Sequence, residues 1–177
     1  MKSNITLMPV KEEELPEFER KIQEAFLVAV EENFGRQEDP IPSHQDLEKC
    51  RHNFGTVMFH LMQGSCKVGG VVLNINSETQ HNSLDFFFIA VEYQNRGLGQ
   101  AAWRAVEETY SETKVWSTVT PYFEKRNIHF YVNRCGFHIV EFWNAYHVAP
   151  DAFSEPQRTE QPIGEDEAFY FEKIMVK

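Results

Sequence analysis

The residues from Ile89 to Ala101 carry the clearest chemical signal in this chain. A β-branched, apolar run ends at Val91. Gln94, Asn95 and Arg96 follow, glycines stand at 97 and 99, and a helical pattern of Ala101, Ala102, Trp103, Ala105 and Val106 begins. A strand feeding a glycine turn that opens a helix directs backbone N–H groups at the positive end of that helix. The spacing therefore predicts an anion site, and the usual anion there is a cofactor phosphate. Glycines at 97 and 99 let the main chain approach a diphosphate with no Cβ in the way. Amides from Arg96 to Ala101 can donate to its oxygens, and the Arg96 guanidinium adds charge. The plain alternative is a tight turn that binds nothing, but two glycines flanked by Gln, Asn and Arg exceed what turning requires.

Asp85 is the one charged residue between Leu84 and Val91. Strict alternation places Asp85, Phe87, Ile89 and Val91 on one strand face. Burial there would raise its pKa toward the range of a working base. The competing reading is a strand-entry Asp that is solvated or bonded to a nearby loop. Cys50, Cys66 and Cys135 form no C-x-x-C pair, and the seven histidines give no H-E-x-x-H, so no metal site is expected. Cys135 reads as a buried structural thiol, and His129 and His138 as structural histidines. Trp116, Phe123, Trp143 and Tyr146 read as acceptor-pocket lining or as core.

The elements that must hold these residues follow from periodicity. Ile5, Leu7 and Val10 predict a short first strand, and Leu15, Phe18, Ile22, Phe26 and Val30 a helix over 12–34 stopped by Gly35. Residues 35–42 read as a loop. Ser43, with Asp46 three residues on, predicts the start of a second helix. A hairpin is expected from 56–62 and 67–75 around Gly64 and Ser65, then a long strand over 83–91. A helix from Gly99 to about Tyr110, a strand over 115–119 and a helix over 121–135 with Gly136 beyond its end come next. Strands over 138–148 and 168–176 close the chain, with an exposed loop over 150–166 between them. The order is β-α-α-β-β-β-α-β-α-β-β, an α+β arrangement in a single domain, 1–177.

Composition bounds the partners. With 177 residues, 42% hydrophobic and 14% aromatic, the chain can bury a sizeable core. A formal net charge of −10 argues against nucleic acid as a partner, because phosphate backbones need a basic surface. The N-terminal residues lack a signal-peptide core, and no apolar run reaches membrane-spanning length, so a soluble cytoplasmic protein is expected.

Two glycine motifs compete for the loop. Gly97, Gly99 and Ala102 fit the dinucleotide fingerprint G-x-G-x-x-[GA], but that fingerprint belongs in the first βα unit, with an acid closing the next strand. Here it follows antiparallel strands, and 115–119 ends in no acid. A nicotinamide enzyme therefore ranks low, and a Walker A loop is excluded. The pattern Q/R-x-x-G-x-G/A is filled by Gln94, Asn95, Arg96, Gly97, Leu98 and Gly99. With the segment from Asn127 through Tyr131 to Gly136 and Phe137, it makes the chain resemble the GNAT superfamily of acyl-CoA-dependent N-acetyltransferases. The resemblance covers most of the sequence and implies a mixed, mostly antiparallel central sheet flanked by helices. It also implies acetyl-CoA as cofactor and direct transfer to the amine of a small molecule in a ternary complex; the acidic loops named below suggest that this molecule is cationic. The cofactor would be held by Ile89, Ala90, Val91, Gln94, Asn95, Arg96, Gly97, Leu98, Gly99, Gln100, Ala101 and Asn127.

By the same resemblance Tyr131 protonates the departing thiolate, and Asp85 stands where some members carry a basic Glu. One departure is visible: the family Tyr commonly precedes the Gly by four residues, and Tyr131 precedes Gly136 by five, about 100° further round a helix. The acceptor would enter beside the acidic loops that carry Glu38, Asp39, Glu155, Glu160, Glu165 and Asp166. A homodimer is compatible with this reading. The rival from another class is a CoA-binding sensor or interaction domain without catalysis.

Overall fold

A computed structural model describes residues 4–150 and 167–176. The element order is the one expected from sequence, and the chain forms two compact units, Met1–Lys114 and Val115–Lys177.

In the first unit four strands form an antiparallel ladder in chain order: β1 (Ile5–Pro9), β2 (Thr56–Gln63), β3 (Cys66–Asn74) and β4 (His81–Ile89). Helix α1 (Leu15–Phe34) begins after a single turn of 3-10 helix and ends at Gly35, whose left-handed φ of 77° no other residue type takes cheaply. Helix α2 (His44–His52) starts at Ser43, whose hydroxyl accepts from the Asp46 amide while Asp46 bonds back. Both helices cover one face of the ladder through Phe18, Ile22, Leu47, Val72 and Phe88. Each such burial contributes about 1.5–3 kcal/mol. Phe18 reaches the sheet because Gly70 offers no side chain; a Cβ there would lie 2.4 Å from the Phe18 ring. Helix α3 (Leu98–Thr109) takes the opposite face, packing on β1 and β4. Alternation along β2 shows this directly: His60 meets Phe18 of α1, while Phe59 meets Tyr110 at the end of α3.

In the second unit β7 (Ala168–Ile174) lies between β5 (Val115–Pro121) and β6 (His138–Trp143), antiparallel to both. Helix α4 is short, Lys125–His129, and runs into a wider turn over Phe130–Arg134. Trp116, Phe137, Phe171 and Tyr131 are buried here.

Several boundaries differ from expectation: β4 spans His81–Ile89 rather than 83–91, β7 stops at Ile174 rather than 176, and three further differences have local causes. The helix expected from 121 begins only at Lys125, because Pro121 closes β5 opposite Ala168 and a turn follows it. The strand expected over 138–148 stops at Trp143, where Asn144 and His147 bond each other's backbone in a turn. Helix α3 starts at Leu98, so Gly99 lies inside its first turn. The acidic residues Glu155, Glu160, Glu165 and Asp166 lie outside the described residues.

Candidate cofactor loop and catalytic residues

The loop between β4 and α3 is built from short local devices. Ala90 is buried, and its amide donates to the Val68 carbonyl, which extends the β3–β4 pairing by one residue. A 3-10 turn over Val91–Tyr93 lifts the chain off the sheet. The Gln94 amide group then reaches back and donates to the Ile89 carbonyl at 3.0 Å. Asn95 has a φ of 63°, and Gly97, at φ 74° and ψ 9°, is left-handed immediately before the helix. Leu98 is buried and pins the start of α3. Its first turn directs backbone N–H groups at the loop.

Two cations dress the rim. Arg96 donates to the Glu92 carbonyl at 3.0 Å and lies 5.5 Å over the Tyr93 ring; Lys21 of α1 pairs with the Glu92 carboxylate at 3.3 Å. Hydrogen bonds from its own backbone and then from Lys21 hold the Glu92 carboxyl below the usual range. Asn95, Arg96, Gly97 and Gln100 are exposed, Ala101 is half-buried, and Val91 is 47% exposed. A Cβ on Gly97 would meet nothing within 4 Å, so open space stands over the left-handed turn. That opening, at the positive end of a helix, fits a diphosphate approached by main-chain donors.

The far ends of β4 and α3 are also tied. Buried Asn82 accepts from the Asn76 amide at 2.8 Å and donates to Thr113 Oγ1 at 2.7 Å; Thr113 in turn donates to the Tyr110 carbonyl. The Lys114 amide donates to the Gln80 carbonyl. The loop is thus the open end of a strand–helix pair closed at its other end.

Asp85 is not placed as simple alternation expects. Leu84 pairs with Leu73 and Phe86 with Val72, so Asp85 is the extra residue of a β-bulge. It faces α1 and α2 with Phe86 and Phe88 rather than sharing a face with Phe87 and Ile89. Ser83 donates to its Oδ1 at 2.8 Å, and the Cys50 thiol of α2 donates to its Oδ2 at 3.5 Å. Burial raises the Asp85 pKa, against the two donors, which lower it.

In the second unit, the one-residue excess before Gly136 has a structural form. The Cys135 amide bonds the Phe130 carbonyl, five residues back, and the Phe137 amide bonds the Tyr131 carbonyl. A π-type turn therefore absorbs the added residue, as single insertions into helices commonly do. Tyr131 is 6% exposed and sits among the rings of Phe130, Phe137 and Phe171. Burial, then the neighbouring Cys135 and Glu124, raises its pKa, against a hydrogen bond with Thr118, so the phenol stays protonated at any working pH. Asn127 is half-buried in α4. His129 bonds Asn133, and both it and His138 are exposed. Trp116 is core, Trp143 stacks on Tyr170, Phe123 is half-buried, and Tyr146 is fully exposed.

Sequence reasoning passed over Cys50 as an Asp85 partner and Glu124 as a buried acid. A signal existed for the first: Cys50 follows Leu47 by three residues, on the inward face of α2. Among the described residues no group of three or more His, Cys, Asp or Glu is arranged to hold a metal ion, and no helix is long and apolar enough to cross a membrane.

The chain is similar to known proteins in both sequence and fold. A family model described as "Acetyltransferase (GNAT) family" matches residues 12–137. An uncharacterized protein of Bacillus subtilis (strain 168), YrkN, is 50% identical over 175 residues, covering 98% of this chain and 95% of that protein. Among solved structures, an Elizabethkingia anophelis GNAT family acetyltransferase with acetyl-CoA bound superposes with a TM-score of 0.68 at 17% identity, over 98% of this chain and 100% of that one. Vibrio cholerae spermidine N-acetyltransferase, in complex with CoA and spermine, gives 0.65 at 15% identity, over 97% and 96%.

Proposed function

The chain belongs to the GNAT family of acetyltransferases, and on that premise we propose that it moves an acetyl group from acetyl-CoA to the amine of a small molecule. The observation that carries the cofactor assignment is the exposed, left-handed Gly97 at the start of α3, with open space where a Cβ would be. Main-chain amides from Arg96 to Ala101 hold the diphosphate, Arg96 adds charge, and Gln94 keeps the loop in shape through Ile89. The ends of β4 and the loop, at Ile89, Ala90 and Val91, align the remainder of the cofactor, with Asn127 as a further contact. The family match runs from 12 to 137, which supports one N-acetyltransferase domain over 1–177. Work in the cytoplasm is part of the same reading.

Acetyl-CoA supplies an acetyl group on a thioester: the C–N bond to the amine forms as the C–S bond breaks, the amine loses a proton, and the thiolate gains one. In this proposal Asp85 takes the amine's proton. Its raised pKa makes it a better base than an exposed Asp, and the bulge turns it out of the ladder. Tyr131 gives the proton to sulfur, a role that suits a phenol held neutral by burial. The net charge of −10, with exposed Glu38 and Asp39 between α1 and α2, favours a cationic amine of the polyamine or aminoglycoside kind.

One observation favours a second reading. The Tyr131 phenol is buried and bonded with Thr118, which suits a structural aromatic in a CoA-binding sensor domain without catalysis. The test is release of CoA from acetyl-CoA with spermidine, an aminoglycoside and neutral amino-acid esters, in the parent, Tyr131→Phe and Asp85→Asn. Transfer that is fastest to the cations and lost in both variants supports the enzyme and its two residues. Equal rates on the neutral esters refute the cationic preference. Unchanged turnover in a variant removes that residue's role, and CoA binding without transfer to any amine supports the sensor.

A further inference from the structure

We propose that Cys50 is a positioning residue for Asp85: with Ser83 it aims the carboxylate that takes the acceptor amine's proton. The proposal rests on the reading of Asp85 as base.

The geometry carries it. The bulge removes Asp85 from the β3–β4 register, so the ladder does not set its side-chain direction. Two donors set it instead. Ser83 occupies Oδ1 at 2.8 Å from the same strand, and Cys50 occupies Oδ2 at 3.5 Å from α2. Each oxygen keeps lone-pair capacity for a further partner. Cys50 is itself held from the other side, since Thr56 Oγ1 of β2 donates to its carbonyl at 2.8 Å. The end of α2 is therefore clamped to β2 by its backbone and to β4 by its side chain. Around the pair stand Phe26, Met58 and Phe86, partly buried against the α1/α2 core.

Chemistry restricts the thiol to this role. Burial, then the Asp85 charge, pushes Cys50 up to about 12, so it remains S–H and donates rather than attacks. From the other elements packed on β4, α1 presents Phe18 and Phe26, and β3 pairs through Val72 and Leu73. Ser83 and Cys50 are the side chains that act on Asp85 ionisation, and both lower its pKa against burial. Cys66 is exposed and Cys135 buried, so the thiols are distinguishable by access.

The test uses the full chain carrying Cys66→Ser, a substitution at the exposed first residue of β3. The first readout needs no activity: alkylation of Cys50 by iodoacetamide against pH, located by peptide mass spectrometry. Asp85→Asn removes the charge that adds to burial in keeping the thiol protonated, so the Cys50 rate at alkaline pH rises by roughly tenfold, one pKa unit. An unchanged rate overturns the pairing. The second readout is the pH profile of transfer to spermidine. Cys50→Ala moves the acidic limb up by about half a unit, the worth of one lost hydrogen bond. Cys50→Ser, a stronger donor, restores it. A Cys50→Ala enzyme that loses turnover with no shift of the limb overturns positioning. If Cys50→Ala does not fold, Cys50→Ser and the alkylation arm decide. Asp85→Asn turning over like the parent sinks the base reading, while the alkylation comparison still reports on the Cys50–Asp85 bond.

Discussion

Gly97→Ala separates the backbone cost of the loop from its ligand function. At φ 74° an alanine pays the left-handed penalty of about 1–2 kcal/mol, and nothing else, because its Cβ meets no atom within 4 Å. Gly64, in the β2–β3 turn, is a matched control: φ is 62° and its Cβ position is also open. Both variants should therefore melt lower than the parent by about 2–4 °C for each kcal/mol lost, a figure suited to a chain of this length. The two then part company. In Gly97→Ala the methyl group stands in the space assigned to the diphosphate and removes the equivalent of one hydrogen bond to a charged group, about 1.5–3 kcal/mol. Acetyl-CoA should bind Gly97→Ala roughly tenfold to a hundredfold more weakly, and Gly64→Ala as the parent does. Isothermal titration calorimetry on the three proteins is the assay. A Gly97→Ala Kd within twofold of the parent, or an equal loss in Gly64→Ala, refutes the assignment of that space.

Other outcomes follow from the same structure. Asn82→Ala removes two hydrogen bonds from a site that is 2% exposed and should cost about 2–3 kcal/mol by urea unfolding; a loss under about 0.5 kcal/mol would contradict its role in tying β4 to α3. Glu14 is held down at about 2, first by Lys67, then by the Lys11 amide and by His60. Its contribution is present above the ordinary 4.5 and is lost as pH falls from there toward 2, so Glu14→Gln should destabilise the protein at neutral pH and not at pH 2. Asp85 has the opposite sign. Its raised pKa makes the parent lose stability as pH rises from the ordinary 3.8, and Asp85→Asn should lack that slope in melts taken from acid to neutral pH.

What could be read from the sequence was local chemistry, and what could not was set by distant partners. Gly35 as a helix stop, Ser43 with Asp46 as a helix start and Gly97 before α3 each act within a few residues, and each is where it was expected. The bulge at Asp85 depends on the register of β3, which no pattern inside β4 reveals. Cys50 meets Asp85 across 35 positions of sequence, so its role stayed hidden although its inward spacing did not. Pro121 suits a first helical turn, and only its pairing with Ala168, far along the chain, makes it a strand end. The five-residue gap from Tyr131 to Gly136 was visible as a departure. Its form, a turn with a five-residue hydrogen bond, was not, because an added residue can be absorbed in several ways. The shape of the 94–99 loop was legible for a further reason: a left-handed glycine and a helix start, the features that main-chain phosphate binding needs, are both written locally.

Acetyl-CoA binding at the Gln94–Gly99 loop is tested most directly by the melting temperature with acetyl-CoA beside the melting temperature with NAD. A ligand at about a hundred times its Kd adds roughly 2.7 kcal/mol to the folded state, which for this length is on the order of 5–10 °C. The prediction is a rise of that size with acetyl-CoA and CoA and none with NAD. A rise with NAD alone, or no rise with acetyl-CoA at saturating concentration, contradicts the assignment of the Gln94–Gly99 loop.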